Sequence, residues 1–167
     1  MSQTSYNEQG VAQIGMIADS SLRNVDSFIG EGAIPYGRFV VRGTDDEKQC
    51  KLPAAATDIT DAKKNLGIAL STQEMEIPLN STADPQYPDK RAISTMSFGR
   101  VWVETESATT DVDQDVYVRH AVAGALNKLG GFAAAAGTGL AKLENAKWRT
   151  ADQTINGRTL AILELRL

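Results

Sequence analysis

Gly32-Ala33-Ile34-Pro35-Tyr36-Gly37-Arg38-Phe39-Val40-Val41-Arg42-Gly43 reads as one strand approached through a rigid corner. Proline fixes φ at about −65° and removes a backbone donor, which suits Pro35 to a strand start or a sheet edge. The residue before a proline is pushed to extended geometry, which suits β-branched Ile34. Gly37 permits a bulge or a close backbone approach. Phe39, Val40 and Val41 supply strand-forming bulk, and Gly43 marks the exit turn.

Outward from this stretch, the chain repeats short period-two runs. Ala12, Ile14, Met16 and Ala18 alternate. Met75, Ile77 and Leu79 alternate with Glu74, Glu76 and Pro78. Val101 and Val103 alternate with Arg100, Trp102 and Glu104. Val116 and Val118 alternate with Asp115, Tyr117 and Arg119. Leu163, Leu165 and Leu167 alternate with Ile162, Glu164 and Arg166. Each run predicts a strand with one apolar face. Turn clusters separate them: Gly43 to Asp46, Asn80 to Pro85, Thr109 to Asp113, and Asn156-Gly157. Many short strands with such punctuation predict an all-β, mainly antiparallel fold, either a jelly-roll-like sandwich or a barrel. One or two helical turns are expected at Asp58 to Asn65, with Asp58 or Thr60 as cap and Gly67 as stop. The Gly/Ala-rich stretch 121–145 is broken by five glycines and is expected to be a long, mobile excursion with at most short helical pieces.

With 167 residues the chain is expected to form one domain, large enough to fold without a disulfide or metal. Residues 1–10 are polar and read as a flexible N-terminal arm, leaving 11–167 as a single β-rich body. Seventeen basic residues against 21 acidic ones give a net charge of −4, which argues against a nucleic-acid-binding surface. No run of apolar residues is long enough for a membrane helix, and the N-terminus lacks the basic start and apolar run of a secretory signal. Synthesis in a reducing cytoplasm is the expectation. The single cysteine, Cys50, lies in an alternating run and reads as a small core residue.

No reactive constellation emerges. His120 has no Cys or His partner at ligand spacing and no Gly-x-Ser-x-Gly elbow to serve. Asp111, Asp113 and Asp115 have calcium-loop spacing, but Val116 and Val122 stand where that loop needs Gly and Glu. Gly137-Thr138-Gly139 lacks the remainder of a dinucleotide motif. The reading is therefore of a non-enzyme without cofactor or metal. Trp102, Tyr117 and Trp148 are the aromatics of interest for binding; Trp102 and Tyr117 oppose the aliphatic faces of their strands and form either a contact ledge or a second packed face.

Five segments carry a resemblance. Ala33-Ile34-Pro35-Tyr36-Gly37-Arg38 leads into Val40-Val41-Arg42-Gly43; Asn65-Leu66-Gly67-Ile68-Ala69-Leu70 follows; then Phe98-Gly99-Arg100-Val101-Trp102-Val103; then Asp115-Val116-Tyr117-Val118, with Leu160 to Leu165 as a closing strand. Their order and spacing, over roughly residues 10 to 167, resemble the structural cement, or capsid decoration, proteins of tailed bacteriophages. The resemblance implies a virion protein on the capsid exterior that binds the assembled shell of major capsid protein and bridges neighbouring subunits, self-associating as a dimer or trimer. Ile34, Pro35, Tyr36, Gly37, Arg38, Gly99 and Arg100 would then be structural motif residues. The arm, with Ser5, Tyr6 and Asn7, and the aromatics Trp102 and Tyr117 would be the partner interface. Another virion module (tail, head-completion or baseplate) and a glycan-binding β-sandwich are the alternatives.

Overall fold

A computed structural model describes residues 12–19, 22–72, 84–106, 111–122, 128–155 and 157–167. The expected arm, the Met75 to Leu79 strand and the tip of the Gly/Ala-rich stretch at 123–127 lie outside the described residues. In chain order the elements are β1 (Asn24–Gly30), β2 (Ile34–Pro35), β3 (Phe39–Arg42), β4 (Gln49–Lys51), α1 (Ala56–Thr60), β5 (Asn65–Ala69), β6 (Gln86–Tyr87), β7 (Ala92–Glu104), β8 (Asp115–Arg119), β9 (Phe132–Ala133), β10 (Leu140–Trp148), β11 (Gln153–Ile155) and β12 (Arg158–Arg166). The fold is mostly β and mainly antiparallel. Strands β1-β4-β3-β5-β7 form a barrel that closes where β1 pairs back onto β7; the β1–β4 pair is parallel, so the barrel is mixed. β7 is shared: beyond the barrel the sheet continues β7-β12-β10-β8-β9, with β11 hairpinned onto β12 and β2–β6 as a separate ladder.

Alternation along the shared strands feeds two cores. Phe28, Cys50, Val40, Leu66 and Ile93, one residue from each barrel strand, join one cluster with Ile34 and Tyr36. Phe39, Val41, Ile68, Met96, Val101 and Val103 face the other way and pack against Val116, Val118, Leu143, Trp148 and Leu163 of the outer strands. Phe39, Phe132 and Trp148 run through this second cluster as successive edge-on pairs, each 6.5 Å between centroids. Cys50 is fully buried, and burial followed by the charge of Glu31 pushes its thiol up to about 12.

Several expectations change. The Gly32–Gly43 stretch is not one strand. Ile34 and Pro35 pair with Tyr87 and Gln86 in β2–β6, and a turn at Tyr36-Gly37 precedes β3. Gly37 has φ +68, and a Cβ there would sit 2.6 Å from Ile14 Cγ1, so the close-approach role prevails. The alternating Ala12 to Ala18 run is not a strand: the chain turns at Ile14-Gly15, then lies along β7 through Gly15 N–Trp102 O, Trp102 N–Met16 O and Ala18 N–Arg100 O bonds. α1 begins before Asp58, whose carboxylate accepts the N–H groups of Ala54 and Ala55, and ends before Asp61. Gly67 is no helix stop. It sits in β5 at φ +135, where a Cβ would lie 2.1 Å from Met96 O. The stretch 121–145 is not simply an excursion, since its described part holds β9 and the start of β10, where Ala141 and Leu143 alternate inward with Lys142 outward. Small alanines there fill a closely packed core, and their helix propensity is overridden by the sheet.

Gly67→Ala should cost more than about 2 kcal/mol, because both space and backbone conformation forbid a Cβ. Gly157→Ala should cost only about 1 kcal/mol: that hairpin glycine has φ +76 but nothing within 4 Å. Urea denaturation of the two variants checks the order; equal costs would contradict it.

Candidate functional site

The Arg38 side chain, 2 % exposed, ends in a cluster of charges. Its Nη2 donates to Glu104 Oε2 at 3.0 Å and to Asp84 Oδ2 at 3.4 Å. Lys128 Nζ reaches Asp84 at 2.6 Å and Glu104 at 3.5 Å; Arg158 Nη1 reaches Asp84 at 2.9 Å and Glu104 at 3.6 Å. The group thus joins the approach to β3, the end of β7, the start of β12 and the segment before β9. Burial pushes Asp84 up, but hydrogen bonds from Lys128 and Arg158 outweigh it and hold the carboxyl below its ordinary range. Gly131 leaves room for the guanidinium, since a Cβ there would be 2.9 Å from Arg38 Nη1. Beside it, buried Arg119 pairs with Glu106 at 2.6 Å and donates to the carbonyls of Ala121 and Thr138. The alternation placed Arg119 on a wet face; this carboxylate and these carbonyls are what allow its burial.

A second charged array crosses the outer strands. Register places Arg100 of β7 opposite Glu164 of β12, Glu164 opposite Lys147 of β10, and Lys147 opposite Asp115 of β8. The row alternates in sign, the favourable cross-strand arrangement. Glu164 accepts from Arg100 at 2.8 Å, from Arg149 at 2.8 and 3.1 Å, and from Arg166 at 2.7 Å. These hydrogen bonds, Arg149 foremost, pull its carboxyl down to about 2. Asp115 is bound by Lys147 at 2.6 Å and Lys142 at 3.0 Å, which lowers the carboxyl, and the Asp115 bond in turn raises the Lys142 ammonium.

Ile34 and Tyr36 are buried, and Tyr36 packs edge-on against Tyr87 at 4.9 Å. Gly99 has φ +130 and would crowd Met96 Sδ at 2.9 Å if it carried a Cβ. Trp148 is fully buried, a core residue and no binding aromatic. Trp102 is half-buried and packs against the first cluster. Tyr117, in register with Lys142 and Ala133, is separated from Trp102 by β12 and β10, about 14 Å of sheet. The two aromatics therefore do not share a ledge. Ser5, Tyr6 and Asn7 lie outside the described residues. Sequence reasoning missed Asp84, Glu104, Lys128 and Arg158 as one cluster; alternation had already marked Glu104, Asp115 and Glu164 as outward, but only strand order shows which charges meet. Among the described residues no set of His, Cys, Asp or Glu is grouped to hold a metal.

A family model described as structural cement protein (E217 gp24/Pam3 gp6) matches residues 2–166. Among solved structures, a chain of "The capsid of Myoviridae Phage XM1" has the same fold, with a TM-score of 0.71 at 18% identity over 99% of this chain and 97% of that one. No match was found among curated proteins.

Glu164 supports a pH test. Its folded value lies below the ordinary 4.5, so its contribution is complete above about pH 4.5 and is lost as pH falls toward about 2. Glu164→Gln should lower stability near neutral pH by on the order of 2 kcal/mol, allowing for screening at half-exposed Arg100, and the gap to wild type should narrow below about pH 4.5 and close only below about pH 2. Thermal melts across that range check it; a pH-independent gap would contradict the assignment. Arg38→Met should cost on the order of 3 kcal/mol, and Arg158→Met, at a partly exposed site, about 1 kcal/mol or less.

Matched by the family model over residues 2–166, nearly its whole length, the chain belongs to the phage structural cement proteins.

Proposed function

We propose that this non-enzymatic cement protein binds the outer surface of the assembled major capsid protein shell and bridges neighbouring subunits. The observation that carries the reading is the family match across residues 2–166. The architecture supports it. A closed barrel and its outer strands share β7 and are tied by ion pairs between distant segments. Such a body can transmit load between two attachment points without deforming.

In this reading residues 1–10 are an arm and 11–167 the body. Ser5, Tyr6 and Asn7 contact a neighbour, and Tyr117 and the exposed edge of Trp102 contribute separate contacts. Ordering an arm costs about 1–2 kcal/mol per residue in backbone entropy, so its contacts must exceed that. Self-association as a dimer or trimer would let each assembly grip the shell at several points, and avidity would multiply the hold.

Purified protein mixed with undecorated shells of the cognate phage should appear by electron cryomicroscopy as many copies on the shell exterior. A ring at a single vertex, or no binding, would contradict the reading. Deleting residues 2–10 should weaken decoration at least tenfold and leave the melting temperature of the body unchanged; undiminished decoration would remove the arm from the interface.

A further inference from the structure

β1 is paired unequally on its two flanks. Toward β7 the ladder runs from Asn24 to Ile29; toward β4 only Ile29 and Gly30 are paired. The Ile29 N–H bonds Lys48 O on the β4 flank, while the Gly30 N–H bonds Arg91 O on the other. By strand alternation the N–H and C=O groups of Val25 and Ser27 point to the β4 flank, before β4 begins. Among the described residues no hydrogen bond meets them there. Residues 24–28 contain neither lysine nor proline, the usual guards of an open edge.

A groove of about 280 Å³ opens beside this edge. Its lining includes Asp26 and Phe28 of β1, Arg42 of β3, Leu66 of β5, Ile59 of α1, and Glu144 on β10. Phe28, Ile59 and Leu66 give it apolar walls. Arg42 is held by the neutral carbonyls of Lys63 and Asp46, Glu144 lies 3.8 Å from Lys142, and the Asp26 carboxylate accepts from the neutral Asn24 amide. Val25 and Ile29 stand 40% and 42% exposed on the outer side of the same strand.

An open row of donors and acceptors beside a side-chain groove fits an extended polypeptide, bound by strand addition. A symmetric pairing of two β1 strands about this segment would bring Asp26 against Asp26, an unfavourable like-charge contact. We propose that the β4-side flank of β1 receives one extended segment of a capsid subunit as an added strand, with an apolar side chain in the groove and a basic side chain facing Asp26. The inference rests on the shell-binding reading above.

Ser27→Pro removes the outward N–H at a position where an edge strand tolerates proline. Ser27→Ala keeps the N–H. Decoration of undecorated cognate shells by wild type, Ser27→Pro and Ser27→Ala is measured with the melting temperature of each. The expected result is wild-type binding for Ser27→Ala and at least tenfold weaker binding for Ser27→Pro at an unchanged melting temperature. Equal binding by all three overturns the strand addition and leaves shell binding standing; failure of wild type to bind overturns shell binding itself. An oligomer that dissociates in Ser27→Pro while decoration persists assigns the edge to a second copy and overturns the proposal. Hydrogen exchange of the wild-type protein, free and shell-bound, is decisive even if Ser27→Pro misfolds. A peptide spanning residues 22–30 should gain protection on binding, and no gain overturns the proposal.

Discussion

A guanidinium closed off from solvent needs carboxylates, and the position of those carboxylates organises this molecule. Arg38 lies immediately before β3, yet its partners come from the end of β7 and from Asp84, far along the chain. Lys128 and Arg158 then neutralise the same two carboxylates from the segment before β9 and from the first residue of β12. Removing one member leaves the others charged and partly buried, which is costlier than losing an exposed pair. The cluster therefore fixes the barrel against the outer strands at one end, while the hydrophobic cores hold the faces together. Hydrophobic burial supplies most of the stability; the charges specify which ends meet.

The outer face follows a different logic. Arg100, Glu164, Lys147 and Asp115 form a row across four strands. Exposed pairs of this kind contribute little individually. Glu164 is the exception, because three arginines cover it and leave it 7% exposed. Most of these charges are satisfied within the molecule. The row therefore serves to keep the sheet in register.

Much of this was legible in the chain. Val101 and Val103, Val116 and Val118, and Leu163 and Leu165 alternate inward as the sequence pattern requires, and each strand appears where expected. β11 and β12 do pair as a hairpin at the turn signal in the sequence, with Ile155 opposite Arg158. What failed were places where tertiary contact outweighs local pattern. Gly37 and Gly67 are explained by a neighbouring chain pressed against them, which no local spacing reveals. The β9–β10 region looked unstructured because glycines and alanines crowd the sequence around Phe132 and Leu143. β1, the strand with the open edge, was missed because Asn24 to Ser27 are all exposed and show no period-two burial. The charge clusters were illegible for another reason: their members are brought together by strand order alone.

The family assignment and the architecture meet in one idea, that a stiff, internally satisfied β-body reinforces a shell by tying its parts together. Calorimetry of cognate shells with and without saturating protein tests this most directly. The account predicts that the shell transition moves to higher temperature on decoration and returns to the undecorated value when the protein is stripped off. Decorated shells that melt at the undecorated temperature would contradict it.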